Sequence, residues 1–344
     1  MLYSLVRPLL FLLDAERAHH ITLSALDFAD RLGIARLITG RMINAPRQIM
    51  GLDFPNPVGL AAGLDKNAEH IDALSQLGFG FLEVGTVTPR AQPGNPQKRL
   101  FRIRTRQALI NRMGFNNRGV NDFVENVRKC RYKGILGINV GKNFDTPIQR
   151  AIDDYQYCLR SVYDYASYVT INISSPNTQN LRSLQEGQAL EQLLSGLALE
   201  RKRLSDRHGR HVPIAIKISP DLDKHDVYFA AETACRHGMD AIIATNTTVS
   251  RSGVENLQHA DETGGLSGAP LRERSTLVVN WLSEALAGDL PVIAVGGIVS
   301  ADDAIEKLSA GASLIQLYTG LIYHGPQLVS ECARAMRDYT PIDH

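Results

Sequence analysis

Eight short runs rich in Val and Ile, each bounded by turn residues, constrain the fold of this chain more than any other feature. They lie at residues 58–61, 81–84, 135–140, 168–173, 213–218, 241–244, 291–295 and 313–317. Each is short enough for a strand and apolar enough to be covered on both faces, as strands of parallel sheets are. Amphipathic helical patterns follow most of them, over 68–77, 189–203, 227–237, 275–286 and 301–310. Alternation of this kind signals βαβ units. Eight units predict an α/β fold of the (β/α)8 barrel type rather than a doubly wound sheet, and 344 residues leave room for one barrel with an extension. The connection over 88–132 is too long for a simple crossover. It carries Pro89, Pro93, Gly94, Pro96 and then Asn111-Arg112-Met113-Gly114-Phe115-Asn116-Asn117, and it predicts a small β excursion over the barrel mouth.

In such barrels the chemistry sits at the C-terminal ends of the strands. In chain order, the eight runs end in Ala62-Gly63-Leu64-Asp65-Lys66-Asn67, Gly85-Thr86-Val87-Thr88, Asn139 with Gly141-Lys142-Asn143, Asn172 with Ser175 and Asn177, Lys217 with Ser219, Thr245-Asn246-Thr247, Gly296-Gly297-Ile298 and Tyr318-Thr319-Gly320. Together they form a ring of mostly neutral donors and acceptors with lysines among them, Lys66 and Lys217 foremost. The ring has no cluster of His, Cys, Asp or Glu, which argues against a metal. It has no paired carboxylates, which argues against glycoside hydrolysis. Amides suit a planar heterocycle, and lysines suit an anion. Gly296-Gly297 with Tyr318-Thr319-Gly320 fits the phosphate site of this architecture, and Gly264-Gly265-Leu266-Ser267-Gly268 is placed to complete it. A tight βα turn is the plain alternative for the glycine pair.

The run from Val169 to Thr178 passes from an apolar strand into Asn172, Ser174, Ser175, Asn177 and Thr178. Polar groups buried without a partner cost about 1–3 kcal/mol each, so a ligand that satisfies them makes sense of the cluster. Ser175 has no GxSxG elbow and no evident His and Asp partners. Two readings stand: a proton-abstracting serine, with Thr178 as a relay, or a turn serine before Pro176.

Before residue 46 the texture differs. Leu2, Leu5, Val6, Leu9 and Leu13 fall on one helical face, and Ala18, Ile21, Ala25, Leu26, Ala29 and Leu32 on another, with Gly33 and Gly40 ending the pattern. The apolar run over 8–13 is far below the roughly 20 residues needed to span a bilayer, and no small-residue cleavage site follows it. A hairpin packed on the barrel and a helix pair lying in a membrane interface both fit. The net charge of +1 directs nothing toward nucleic acid. The four cysteines have neither metal nor disulfide spacing.

Taken together, these motifs resemble the dihydroorotate dehydrogenases of the membrane-associated, quinone-dependent class (class 2). The resemblance is carried by Ala61-Ala62-Gly63-Leu64-Asp65-Lys66-Asn67, Asn111 to Asn117, Asn172-Ile173-Ser174-Ser175-Pro176-Asn177-Thr178, Thr245-Asn246-Thr247-Thr248, Gly264 to Gly268 and Ile293 to Ile298. The soluble class places a cysteine where Ser175 stands and lacks the N-terminal helix pair. The resemblance implies an FMN-binding barrel over 41–344 and a membrane- and quinone-access segment over 1–40. The implied reaction is oxidation of dihydroorotate to orotate in pyrimidine biosynthesis, with a membrane quinone as final acceptor.

It further implies that Ser175 takes the C5 proton while hydride leaves C6 for flavin N5. Lys66, Asn111, Asn172, Asn177 and Asn246 would hold the substrate, with Arg112, Met113, Gly114, Phe115 and Thr247 around them. Ala62, Gly63, Leu64, Asp65, Lys66, Thr86, Asn139, Asn172, Lys217 and Thr245 would line the flavin. Gly268, Gly297, Tyr318 and Thr319 would take its phosphate end, and His19, Arg102 and Tyr318 the quinone head. No metal is implied. A monomer at the cytoplasmic face of the inner membrane is expected. The alternatives are a phosphate-binding lyase or isomerase with a Schiff base at Lys66 or Lys217, and a non-catalytic nucleotide-binding protein of the membrane surface.

Overall fold

The computed structural model of the chain describes residues 2–34 and 42–340. Gly40, and with it the expected boundary between 1–40 and 41–344, lies outside the described residues. The eight predicted runs form β1 (Val58–Leu60), β2 (Phe81–Val87), β3 (Ile135–Val140), β4 (Tyr168–Asn172), β5 (Ile214–Ile218), β6 (Ala241–Ala244), β7 (Val292–Val295) and β8 (Leu314–Leu317). They pair in parallel into a closed barrel in the order β4-β5-β6-β7-β8-β1-β2-β3. Every residue of the eight strands is buried, which is why the runs read as continuous apolar stretches rather than as alternations.

The predicted helices appear as Gly187–His208, Lys224–Arg236, Arg272–Leu286 and Ala301–Ser309. Asp223 caps one by accepting the Asp226 N–H, and Ser300 and Asp303 form a capping box on another. The helix expected over 68–77 shrinks to Ile71–Ser75. The buried Asp65 carboxylate accepts the backbone N–H groups of Glu69 (3.0 Å) and His70 (2.8 Å) and holds that stretch as a turn.

The barrel interior is layered. An antiparallel hairpin, Arg47–Ile49 with Leu52–Phe54, closes the bottom. Phe54 meets Phe81 edge-on at 5.0 Å, and Phe81 meets Tyr168 at 6.4 Å. Two glycines make room for these rings: Gly59 lies in register with Phe81, and Gly137 with Tyr168. Above this floor the interior turns polar, with Glu83, Asn139, Lys217 and Gln316 all buried.

The expected β excursion is present as Leu100–Ile103 and Ala108–Asn111, with Arg90–Gln92 paired to Asn117–Gly119. The glycine-rich segment after β6 enters it as well. Gly265–Gly268 is a third antiparallel strand, with Gly268 opposite Ala108 and Gly265 opposite Asn111. It was expected only as a phosphate loop. Leu266, almost fully buried against Ile110, supplies the strand's apolar side.

The N-terminal pattern forms α1 (Leu2–Leu10) and α2 (Ala15–Arg31), with Asp14 capping α2. The pair is fastened to the barrel. Tyr3 Oη donates to Ile322 O and Arg7 Nη1 to Tyr323 O, each at 2.6 Å. Phe11 packs edge-on to Tyr323 at 5.3 Å and lies under the guanidinium groups of Arg7, Arg102 and Arg104. Arg99 grips Glu16 through Nε and Nη2. Yet Leu5, Leu9, Leu12 and Phe28 remain 74%, 65%, 76% and 64% exposed. One face of the pair therefore packs on the barrel, as the hairpin reading expects, and the other leaves large apolar side chains uncovered. No helix among the described residues is long and apolar enough to cross a membrane.

The floor is a size-matched contact and should not tolerate a methyl group. A Cβ at Gly59 would lie 2.2 Å from Phe81 Cζ, and the ring is confined by Phe54 and Tyr168. Gly59→Ala should lower stability by ~1–3 kcal/mol, the usual cost of overpacking. Denaturant unfolding measures this, and an unchanged midpoint would show that the floor can yield.

Candidate functional site

The pocket at the C-terminal mouth of the barrel is built on a ladder of side chains that starts below it. Glu83 is fully buried and accepts hydrogen bonds from Asn139 Nδ2 (2.8 Å), Tyr168 Oη (2.9 Å) and Gln316 Nε2 (2.7 Å). Asn139 Oδ1 then accepts from the Thr86 hydroxyl (2.6 Å) and from Asn172 Nδ2 (3.2 Å). Asn172 Oδ1 accepts from Asn246 Nδ2 (3.3 Å) and from the Ser174 hydroxyl (3.2 Å). Thr86, Asn172 and Asn246 are thereby fixed at the mouth, where they line the pocket with Lys217, Thr245, Ala62, Gly63 and Lys66.

Ser175 is 5% exposed and faces this pocket. Its Oγ accepts the Asn177 N–H at 3.2 Å, and its hydroxyl proton has no acceptor among the described residues. No histidine lines the pocket, and no hydrogen bond joins Thr178 to Ser175, so the expected relay is not assembled. Asn177 Nδ2 donates to the backbone carbonyl of Asn111 at 3.1 Å and to its side chain at 3.3 Å. That bond ties the loop after β4 to the excursion, which roofs the site with Leu100, Leu109, Met113, Gly114 and Phe115.

Opposite the serine, the pocket ends in a cradle made by Ser267, Gly268, Gly296, Gly297, Thr319 and Gly320. The Ser267 and Thr319 hydroxyls bond at 2.8 Å. Gly296 and Gly297 both have left-handed φ, +116° and +77°, which only glycine adopts freely. A Cβ on Gly297 would strike the Arg272 backbone, and one on Gly320 the Ile298 carbonyl. The cradle thus presents bare backbone, as a phosphate requires.

A flavin fits these residues on two further counts. Gln316 Oε1 is buried, borders the pocket and has no partner, an acceptor left for a ligand N–H. The pocket lining holds two lysines and no carboxylate, a balance suited to an anionic cofactor and an anionic substrate. Burial lowers the Lys66 pKa to about 8, with Glu16 opposing that shift, and burial also lowers Lys217, opposed by Glu83. No His, Cys, Asp or Glu lines the pocket, so its donor set does not suit a transition metal.

Four expected contact residues lie elsewhere. Asn139 sits one hydrogen bond below the pocket, holding Thr86 and Asn172 from beneath. Asp65 is committed to the turn after β1. Leu64 faces a second cavity. Arg112 points outward, paired with Glu262 at 2.7 Å and stacked over Phe101. A charged side chain in an asparagine- and glycine-rich motif reads as a ligand contact, but its length lets it reach solvent. Conversely, Leu100, Leu109 and Gln316 line the pocket unforeseen, while Ser267, Val295 and Gly296 lie there as the glycine-rich motifs suggested. Gln316 had a signal, since Gln316 and Tyr318 are two apart on a strand and share its inner face.

The second cavity, about 380 Å³, is apolar and opens between α1, α2 and the barrel. Val6, Leu10, Leu23 and Leu26 line it, and it gathers His19, Arg102 and Tyr318 as expected from sequence. Burial and the neighbouring Lys66 push His19 down to about 3, so the imidazole is neutral there. Burial pushes the Tyr318 phenol up to about 12. Leu100, Leu109 and Tyr318 line both cavities and form the wall between them.

Comparison with known proteins agrees with this geometry. The family described as dihydroorotate dehydrogenase matches residues 45–339. The chain is 60% identical over 335 residues to a protein of Burkholderia multivorans named dihydroorotate dehydrogenase (quinone), covering 97% of each chain. It is 60% identical over 336 residues to the protein of that name from Thiobacillus denitrificans, covering 98% of this chain and 99% of that one. Among solved structures it resembles the Eimeria tenella DHODH crystallised with ferulenol, with a TM-score of 0.84 and 34% identity over 93% of this chain and 90% of that one. With its closed barrel, its serine pocket and these relatives, the chain belongs to the dihydroorotate dehydrogenase family, in its quinone-dependent class.

Proposed function

We propose that this protein oxidises dihydroorotate to orotate on a bound flavin, FMN, and delivers the electrons to a quinone held between its N-terminal helices. One observation carries the reading: the serine pocket and the apolar cavity stand back to back, separated only by Leu100, Leu109 and Tyr318. When bound across the pocket, FMN would supply hydride acceptance on the substrate side and electron donation on the quinone side.

The chain's own residues divide the remaining work. Asn111, Asn177 and Asn246 would bind the substrate ring, whose alternating N–H and C=O groups match their amides. Lys66 would hold its carboxylate. Ser175 Oγ would take the C5 proton while passing its own hydroxyl proton to water on the side away from the substrate, with the Asn177 N–H fixing its direction. Asn172 would face cofactor and substrate together. Gly268, Gly297 and Thr319 would take the phosphate, and Lys217 would lie against the ring system. Leu100, Met113 and Phe115 would keep water from the reacting atoms. His19, Arg102 and Tyr318 would meet the quinone head, and the uncovered faces of α1 and α2 would rest on the membrane that holds it. A Schiff-base lyase is disfavoured on physical grounds, because Lys66 at about 8 stays largely protonated near neutrality.

The reading predicts a yellow protein that bleaches on mixing with dihydroorotate. Ser175→Ala should keep the colour but slow single-turnover bleaching by roughly 10²–10⁴-fold. A colourless protein that takes up no FMN sinks the flavin, and unchanged bleaching in the variant removes Ser175 as base.

Lys66 adds a pH test. Its folded pKa is lowered, so its positive charge is present below about 8 and is lost as pH rises through that value. The dissociation constant of orotate, an anion, should be flat on the acid side and weaken on the alkaline side. Lys66→Met should bind weakly with no such bend; a bend that persists belongs to another group.

Ala25 lies exposed at the edge of the apolar cavity. Ala25→Trp should slow reoxidation by a long-chain quinone several-fold while leaving reduction by dihydroorotate unchanged. Equal slowing of both half-reactions would place the quinone elsewhere.

A further inference from the structure

Under the Gly296–Gly297 turn lies a charged side chain that none of the steps above uses. Lys307, on the helix Ala301–Ser309, has no exposure to solvent. Its ammonium donates to Arg272 O at 3.0 Å, Ser275 Oγ at 2.7 Å and Thr276 Oγ1 at 2.5 Å. All three acceptors belong to the opening turns of the helix Arg272–Leu286. Burial pushes Lys307 down to about 7, while the neighbouring Glu306 and Asp303 carboxylates favour its charged form.

The bonds beyond Lys307 point to its use. Ser275 Oγ receives the ammonium, which leaves the hydroxyl proton for an acceptor of its own. That proton can reach the Gly296 carbonyl at 2.9 Å. The other oxygen in range, Arg272 O at 3.0 Å, already accepts from Lys307. The Gly296 carbonyl is therefore drawn down onto the helix. The peptide that follows is planar and trans, so its N–H points opposite to its C=O. Pinning the carbonyl of Gly296 downward turns the N–H of Gly297 upward, into the cradle. The turn lies flat on its support, because a Cβ on Gly297 would be 2.1 Å from Arg272 Cα. The far side of the loop is held separately: Asp303 accepts the N–H groups of Val299 and Ser300, each at 2.9 Å, and pairs with Arg272 at 3.1 Å.

We propose that Lys307 is a positioning residue for the cofactor phosphate, acting through Ser275 to aim the Gly297 N–H into the cradle. This rests on the FMN reading of the pocket.

The test compares FMN with riboflavin, which carries the same ring without the phosphate. Flavin release from the holoenzyme, and rebinding of each flavin to the stripped protein, are followed by fluorescence for wild type, Lys307→Met and Ser275→Ala. Both variants should bind FMN roughly 10-fold more weakly, while riboflavin affinity stays within about twofold. Equal weakening of FMN and riboflavin would mean that the variants only soften the fold, and it would overturn the proposal. Unchanged FMN affinity would overturn it too. Ser275→Ala keeps the buried amine in place and serves if Lys307→Met fails to fold. A wild type that holds riboflavin as tightly as FMN would instead remove the phosphate reading on which the proposal stands.

Discussion

The Glu83 carboxylate is buried completely inside a closed barrel, where an unsatisfied charge would cost several kcal/mol. It is satisfied by Asn139, Tyr168 and Gln316, and that satisfaction has a direction. A carboxylate only accepts. Each amide that meets it must turn its NH₂ downward, leaving its oxygen free above. Asn139 Oδ1 is therefore available to Thr86 and Asn172, and it turns the Asn172 NH₂ downward in the same way. Asn172 then offers its oxygen upward to Asn246. Gln316, turned by the same carboxylate, is left with the unpartnered oxygen that borders the pocket. One acceptor at the barrel centre thus sets the orientation of Asn139, Asn172, Asn246 and Gln316, and so much of the donor and acceptor pattern that a ligand meets.

This arrangement explains how a pocket can be polar and still rigid. Networks of buried amides are stiff only when every member is satisfied. Here Glu83, Asn139 and Asn172 are satisfied by protein, and the open valences face the pocket: the Ser175 hydroxyl and the Lys66 and Lys217 ammonium groups near the rim, and Gln316 Oε1 deeper in the barrel. Below the network the aromatic floor excludes water, and above it the excursion does the same. The ligand is the remaining partner.

Much of this was legible in the sequence, and the reasons divide sharply. The eight strands could be read because each is buried on both faces, so a simple run of apolar residues marks it. The rim residues could be read because the architecture fixes which strand end carries chemistry. Asn139 and Arg112 show the limit. Side-chain direction depends on register and on what lies across the barrel, and neither is encoded near the residue. Asn139 was expected beside the ligand and stands one rung lower. Arg112 was expected inside and finds Glu262, 150 residues along the chain. The strand Gly265–Gly268 was hidden for a different reason: glycines that suit a phosphate loop also suit a strand that must pass close under another backbone. The wall between the two cavities was invisible because Leu100, Leu109 and Tyr318 come from distant segments.

The charges of the N-terminal helices reach the substrate side. Glu16 on α2 is held by Arg99, with both side chains largely buried. Lys66 feels both charges: Glu16 favours its protonated form and Arg99 opposes it. His19, one turn further along α2, is kept neutral partly by Lys66 itself. At an effective dielectric near 20 such charges still interact by about 1 kcal/mol or more across several ångströms. Burial is the main influence on the lysine that would hold the substrate carboxylate, but Glu16 on α2 opposes it, and the same helix walls the apolar cavity. The two halves of the reaction, although separated by a wall of three side chains, share one electrostatic environment through this helix.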